Sequence, residues 1–221
     1  MALRFLVILF LSLWGFGTQA QVPYFEGLSS QISMGSQSHS PEYFDYKTSG
    51  TSNGLSTQTA SSRGTPLAFS VTYTRPVSDY VLLGFSLEKN LLKTSAARQD
   101  LYNNGTYSTG GTIRFRNQTQ LSLMPGVLID ASTMVYTKIG LAYASSDSNN
   151  DNGSAAQNFD FSGWGLGIGI KGFVSPHQFA FAEYNRVHMS DTLRTSASDP
   201  TATFQTSSKG SVFLVGVGWQ F

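Results

Sequence analysis

The sequence predicts an all-β fold, an eight-stranded antiparallel up-and-down β-barrel that crosses a membrane around a polar lumen. Three observations support this prediction. Apolar and polar residues alternate within the strand-like segments, long polar connections alternate with short turns, and the alternation continues to the last residue. Beyond the amino terminus, no segment has the roughly 20 consecutive apolar residues that a membrane-spanning helix needs. The expected fold class is therefore a transmembrane barrel preceded by a cleaved signal peptide.

Residues 1–20 are expected to form a secretory signal peptide. Arg4 supplies the positive charge, residues 5–16 are apolar, and residues 18–20 (Thr-Gln-Ala) match a small-x-small cleavage site. An uncleaved membrane anchor is the alternative, but the apolar stretch is short and polar residues follow it at once. The predicted organisation is a signal peptide over 1–20 and one barrel domain over 21–221.

The composition excludes several classes of partner and cofactor. Charged residues make up 12% of the chain, against roughly 25% in ordinary soluble domains. Without Arg4, the remaining 13 basic side chains equal the 13 acidic ones, so nothing indicates a nucleic-acid partner. The chain has no cysteine and its three histidines, His39, His177 and His188, are expected in a loop, a turn and a rim. We therefore expect no disulfide, metal site or cofactor.

Alternation defines eight predicted strands separated by connections of two kinds. Their approximate bounds are 27–36, 66–75, 80–91, 112–124, 134–145, 159–173, 178–188 and 211–221. Four long polar connections alternate with three short ones, the pattern of extracellular loops and periplasmic turns in bacterial barrels. Pro125-Gly126 is expected to end the fourth strand. A soluble barrel with its apolar face inward is the alternative.

The carboxy-terminal strand supports the membrane interpretation most directly. Val217, Trp219 and Phe221 share one face and the final residue is aromatic. This pattern resembles the terminal assembly signal of bacterial outer-membrane barrels. Over 27–221 the chain resembles the small barrels typified by the OmpA transmembrane domain and OmpX. The resemblance implies a Gram-negative outer-membrane location, insertion by the barrel assembly machinery, and contact with outer-membrane lipid and lipopolysaccharide.

Charged residues on the polar face are the first candidate functional group. Six are expected to face the lumen as a polar network: Glu88, Arg114, Arg116, Lys138, Lys171 and Glu183. The network is either a static plug of salt bridges or the lining of a gated narrow pore. The interior of eight strands is just wide enough for side chains to fill, which favours the plug.

His188 and Ser190 are a weak candidate catalytic pair. Two residues apart in a strand, they share one face and could act as base and nucleophile. Residues 184–191 are loosely similar to the active-site strand of the outer-membrane lipid A deacylases, which add a downstream Glu. No Glu follows Glu183 here, so Asp191 or Asp199 would have to substitute. Polar residues at a barrel rim are the simpler explanation.

The expected function is structural or surface-interactive and non-enzymatic: membrane integrity, adhesion or surface antigen. Segments near 37–64 and 190–208 are the candidate contacts for a host or cell-surface ligand, and residues 41–47 contain an aromatic cluster. The first alternative is a narrow porin-like channel for small solutes. The second is a lipid A-modifying hydrolase that uses His188 and Ser190.

Overall fold

The structure is a computed structural model, and its described part is one antiparallel sheet closed into a ring. It describes residues 25–48, 51–52, 55–59, 61–93, 97–103, 106–150, 157–190, 194–195 and 202–221. The strands of these ranges are β1 (Gly27–Thr48), β2 (Thr51–Ser52), β3 (Leu55–Thr59), β4 (Ser62–Gly64), β5 (Leu67–Pro76), β6 (Val81–Asn90), β7 (Ala97–Asn103), β8 (Thr106–Leu128), β9 (Thr133–Asn150), β10 (Gln157–Ser175), β11 (Gln178–Ser190), β12 (Arg194–Thr195) and β13 (Ala202–Gln220). The expected signal peptide, 1–20, lies outside the described residues.

Eight strands form the barrel wall, in the order β1, β5, β6, β8, β9, β10, β11 and β13. The last strand pairs with the first, from Ser29 opposite Gln220 to Thr48 opposite Ala202. The wall therefore has no free edge, as a sheet in lipid requires. Four of the remaining strands attach beside it: β2 and β4 pair with β1, β12 with β13, and β7 with β8. The predicted eight-stranded barrel is confirmed.

The apolar face of the wall points outward. Leu141 is 69% exposed, Ile168 55% and Val217 58%, whereas inward Ser29 and Thr72 are each 1% exposed. In a soluble barrel the two faces would be exchanged. Exposed apolar residues around a polar interior are instead the arrangement that lipid stabilises. The described residues include no helix long and apolar enough to span a membrane.

Several strands extend farther than the sequence predicted. β1 continues to Thr48, β9 to Asn150, and β13 begins at Ala202, in segments expected to be long loops. Pro125-Gly126 does not end its strand, since β8 continues to Leu128. The polar segments lack apolar alternation because no lipid faces them, yet backbone pairing satisfies their amides equally well.

A bulge in β8 exchanges the faces of that strand. Arg116 is opposite Ser145 of β9 and Thr119 is opposite Tyr143, so β8 advances three positions where β9 advances two, and Asn117 has a φ of 52°. One extra residue reverses which side chains point inward. Phe115 is consequently buried inside the barrel and Leu121 is 54% exposed outside, although both have odd numbers.

Apolar clusters fill the lumen at two levels. The lower cluster, toward the short turns, contains Phe25, Leu82, Met124, Met134 and Tyr136. The upper cluster contains Ile113, Phe115, Ala142, Ala144, Phe161 and Met189. Along β9 the inward residue Lys138 lies between Tyr136 and Ala142. A polar layer therefore separates two apolar layers inside the barrel.

Candidate functional site

The polar layer is built around a buried lysine. Lys138 Nζ donates to Glu183 Oε1 at 2.8 Å and to Glu88 Oε2 at 2.9 Å. The side chains of Lys138 and Glu183 are 2% and 0% exposed, and that of Glu88 is 15% exposed. Tyr136 Oη donates to Glu183 Oε2 at 2.9 Å, and Asn185 Nδ2 donates to Glu183 Oε1. Because its ions are paired and hydrogen-bonded, this buried cluster is tolerated inside the barrel.

A second buried cation completes the cluster. Lys171, 2% exposed, places Nζ 4.1 Å from the centre of the Phe179 ring. It interacts electrostatically with Lys138 and Glu183. Two lysines and two glutamates thus balance in formal charge within one layer. A ring face also stabilises a desolvated cation.

Glycines on β10 leave room for this cluster. A Cβ at Gly169 would overlap the ring of Tyr136, and one at Gly167 would overlap the amide oxygen of Asn185. The Gly-x-Gly-x-Gly segment is therefore a space-making stretch of barrel wall, because it allows large side chains of neighbouring strands to lie across the lumen.

Four of the six predicted lumen charges are in this layer, and the other two are elsewhere. Arg114 is exposed on the outer face, because it precedes the β8 bulge. The prediction that Arg114 faces the lumen is therefore wrong. Arg116 lies at the bulge, where Nη1 contacts Asp147 Oδ1 at 3.0 Å. The two arginines therefore belong to the wall above the polar layer.

Sequence reasoning missed Tyr136 and Asn185, the neutral partners of Glu183. Both lie two residues from a predicted lumen charge, Tyr136 before Lys138 and Asn185 after Glu183. Alternate residues of a strand share a face. That spacing could have identified them as neighbours of the charges, although not as contacts across strands.

A small chamber lies inside the barrel beside the ionic cluster, with a volume of about 50 Å³. Its polar lining includes Glu88, Asn90, Gln37, His39 and Gln118. Gln37 Nε2 donates to Gln118 Oε1 at 3.0 Å, and Gln118 Nε2 lies 3.1 Å from His39 Nε2. His39 was expected in a loop but is buried in the barrel wall. Volume and polar lining suit a few water molecules.

His188 and Ser190 lie on the outer face of β11, both partly exposed. The ring centres of His188 and Trp164 are 5.8 Å apart. Two residues of strand separate the backbones of His188 and Ser190 by roughly 6.6 Å, so a hydrogen bond requires their side chains to lean together. The third members considered, Asp191 and Asp199, lie outside the described residues.

The terminal strand has its apolar residues on the lipid side. Trp219 and Phe221 are 49% and 73% exposed. Phe221 N donates to Leu28 O at 2.9 Å, which ties the end of the chain to β1. Of the two predicted ligand-contact segments, 191–193 and 196–201 lie outside the described residues, as do the side chains of 41–59 and 191–206.

Comparisons with known proteins agree with this geometry. The structure is similar to the outer membrane protein OprG from Pseudomonas aeruginosa, with a TM-score of 0.61 and 15% identity over 92% of this chain and 99% of that one. For Ail of Yersinia pestis the TM-score is 0.44 and the sequence identity 14%, over 89% of this chain and 99% of that one. For Neisserial surface protein A the TM-score is 0.46 and the identity 15%, over 89% of this chain and 98% of that one. At 15% identity the likeness to OprG concerns the fold alone. No curated protein sequence matches.

A family model also matches the sequence. The model described as outer membrane protein beta-barrel domain covers residues 47–221, which is most of the chain. The match agrees with the closed ring of eight strands and its exposed apolar face. The chain belongs to the outer membrane protein beta-barrel family and is an integral protein of the bacterial outer membrane.

Proposed function

We propose that this protein is a closed barrel with a structural or surface-interactive role in the outer membrane. The observation that carries the proposal is the ionic cluster of Lys138, Glu88 and Glu183, which lies across the lumen between two apolar clusters. An ion entering from either end would meet an apolar layer before it reached the charges. Desolvation at such layers is costly for a charged solute.

Planar-bilayer recording of the refolded full chain tests the closed lumen. We expect no steady conductance, only rare small openings. A steady single-channel current carried by the wild-type protein would contradict the proposal. Because Arg114 lies outside the barrel, substitutions that probe the lumen belong at Glu88 or Lys138.

A narrow channel is the second candidate, and the internal chamber supports it. Glu88 lines the chamber and is the most exposed member of its cluster, so it is the member best placed to exchange partners. Under this candidate, Glu88→Gln alters a measurable conductance. The matched change Glu26→Gln, at an exposed residue outside the chamber lining, leaves the conductance unchanged.

The surface role is proposed for the wall above the lipid. There, β7 and the first half of β8 form a hairpin, and β3 pairs with β7. This extension gives the protein a folded surface beyond the membrane. Bacteria that display a form lacking residues 98–111 should bind host cells or one another less than bacteria with the full chain. Undiminished binding would exclude adhesion through this hairpin.

The hydrolase alternative depends on His188 and Ser190. They share the outer face of β11 at the level of Trp164, and this alternative requires lipid headgroups to reach that level. A hydrolase would release acyl chains from lipid A, and Ser190→Ala would abolish the release. We infer a non-catalytic role, so the purified wild-type protein is expected to release none.

A further inference from the structure

The lower end of the lumen is filled by a residue that is not part of the barrel wall. Phe25 comes two positions before Gly27, where β1 begins, and only 2% of it is exposed. The other four buried residues of the lower cluster all lie on the wall strands β6, β8 and β9. Phe25 also packs against Phe173 of β10, with the two ring centres 4.8 Å apart and an angle of 75° between the ring planes. A side chain from outside the wall therefore occupies this end of the lumen.

Gly27 turns the chain from the wall into the lumen. Its φ is 101°, a backbone conformation that glycine adopts readily and other residues adopt only with strain. A Cβ at this position would lie 3.3 Å from the backbone oxygen of Phe221. Because the chain turns at this glycine, Phe25 lies over the lumen and not in line with β1.

Hydrogen bonds to Glu26 and Leu28 fix this turn to the last strand. Gln220 Nε2 donates to Glu26 O at 2.8 Å and to Leu28 O at 3.2 Å. The pairing of β1 with β5 begins only at Gly27. In the described part of the chain, Phe25 and Glu26 precede this ladder, and the contacts that hold them are ring packing and one side-chain amide. Both contacts can break while the pairs of the wall stay intact.

A row of aromatic rings connects Phe25 to the polar layer. The rings of Phe173 and Phe179 are 5.7 Å apart between centres, and Lys171 Nζ lies 4.1 Å from the centre of the Phe179 ring. A Cβ at Gly218 would overlap the ring of Phe179, so the wall leaves room for this row. Phe25 is at one end of the row and the buried cation is at the other. Displacement of Phe25 therefore exposes the rings that separate Lys171 from water at this end.

We propose that Phe25 is a removable stopper at the short-turn end of the lumen. Gly27 is its hinge, and the amide of Gln220 holds it in place. The short turns of bacterial barrels face the periplasm, so the stopper opens toward that side. When it is displaced, it opens a cavity with one entrance, because the upper cluster still closes the other end. This inference rests on the closed lumen proposed above and names the part of the closure that moves.

Cysteine labelling tests the stopper, because the chain contains no cysteine of its own. The reporter is Ser86→Cys, at a position that is 1% exposed and lies on β6 between Leu82 of the lower cluster and Glu88 of the polar layer. A positively charged methanethiosulfonate reagent is added to the refolded full chain in detergent, and the labelling rate is measured. Labelling of a buried thiol follows the fraction of molecules that are open. Heat-modifiable gel migration confirms that each variant is folded before it is labelled.

Removing the stopper side chain should speed this labelling. With Phe25→Ala we expect a rate at least about tenfold higher, because burial of a phenylalanine favours the closed state by about that factor or more. With Gln220→Ala, which removes the amide, we expect a rise of about three- to tenfold. Phe25→Met keeps most of the apolar volume and should label nearly as slowly as the wild-type stopper. The matched control is Val77→Ala, at an exposed apolar residue of a short turn, which should leave the rate unchanged.

A second reporter separates opening of the lower end from loosening of the whole barrel. Ser146→Cys lies in the upper lumen, where Ser146 is fully buried and its Oγ has no hydrogen-bond partner among the described residues. Phe25→Ala should leave the labelling of this reporter unchanged, and faster labelling of both reporters would overturn the proposal. Equal labelling of Ser86→Cys with and without the Phe25 ring would also overturn it. That result would leave the closed lumen standing, because the bilayer current of the wild type tests the closed lumen separately.

Discussion

The barrel wall within the apolar band and the wall above it place their apolar residues on opposite faces. Within the band, Leu141 and Ile168 point outward and Lys138 points inward. Above it, Phe115 and Phe161 are buried inside, whereas Arg186 is exposed outside. The same sheet is thus built like a membrane protein in one part and like a soluble protein in the next.

The medium outside the wall explains the difference. Lipid solvates apolar side chains, so the interior of the membrane part is left for polar groups that must pair with one another. Water solvates the upper part, so its apolar side chains gain by turning inward. The β8 bulge makes this exchange within one strand, between Arg116 and Thr119. In β10 and β11 the outward residues change from apolar to polar within a stretch of continuous register, Ser162–Phe173 opposite Ser190–Phe179.

The largest effect is expected from breaking the buried cluster. Lys138→Ala leaves the buried Glu183 and the partly buried Glu88 without the cation that they share, and it should lower the free energy of unfolding by about 3–5 kcal/mol. Arg116→Ala breaks a partly exposed pair in the upper wall and should cost about 1 kcal/mol or less. Urea unfolding of both variants in lipid vesicles, followed by tryptophan fluorescence, checks the pair. If the two variants lost the same free energy of unfolding, the contrast between the buried cluster and the upper wall would be contradicted.

Two methionines test the exchange of faces. Met189 is 2% exposed in the upper cluster, and Met34 is 56% exposed on the lipid side. Met189→Ala should cost about 2–4 kcal/mol, because it leaves a cavity among packed side chains. Met34→Ala should cost well under half of that, since lipid chains fill the space. The same unfolding assay applies, and a larger cost at Met34 would show that the upper interior is loosely packed.

A smaller loss is expected from a single added methyl group. Gly169→Ala forces the Tyr136 ring away from Glu183 and should cost about 1–3 kcal/mol. At Gly172, on the same strand, an added Cβ meets no atom within 4 Å. Gly172→Ala should therefore be close to neutral. Vesicle unfolding of the two alanine variants measures the difference, and equal stability would show that the ring has room to move.

The smallest effect lies outside both parts, in the turn between β8 and β9. Ser132 donates to Asp130 Oδ1 through its backbone N at 2.7 Å and its Oγ at 2.9 Å. These hydrogen bonds lower the pKa of Asp130 below its ordinary value. A lowered pKa in the folded state adds stability above the ordinary pKa, and this is lost as the pH falls through the lowered value. Asp130→Asn should be slightly less stable than wild type at pH 7, with the difference vanishing in acid.

The charged residues of the polar layer could be predicted from the sequence, but their neutral partners could not. Strand alternation placed Glu88, Lys138, Lys171 and Glu183 on the inner face, where the structure has them. It failed for Arg114, because alternation carries through a strand only if no residue is inserted. It also treated polar segments as loops, since Ser and Thr residues give no apolar signal even where β1 and β13 stay paired.

By itself, the sequence determined the eight strands and the division of each strand into an apolar and a polar face. Both are local properties, because a period of two is written into each strand and short turns alternate with long polar segments. Only the tertiary structure decided which charges meet. Lys138 pairs with Glu88, 50 residues away in sequence, and with Glu183, 45 away, and these contacts depend on register across several strands. The bulge in β8 decided which side chains of that strand face the lumen, because one extra residue exchanges the two faces of a strand.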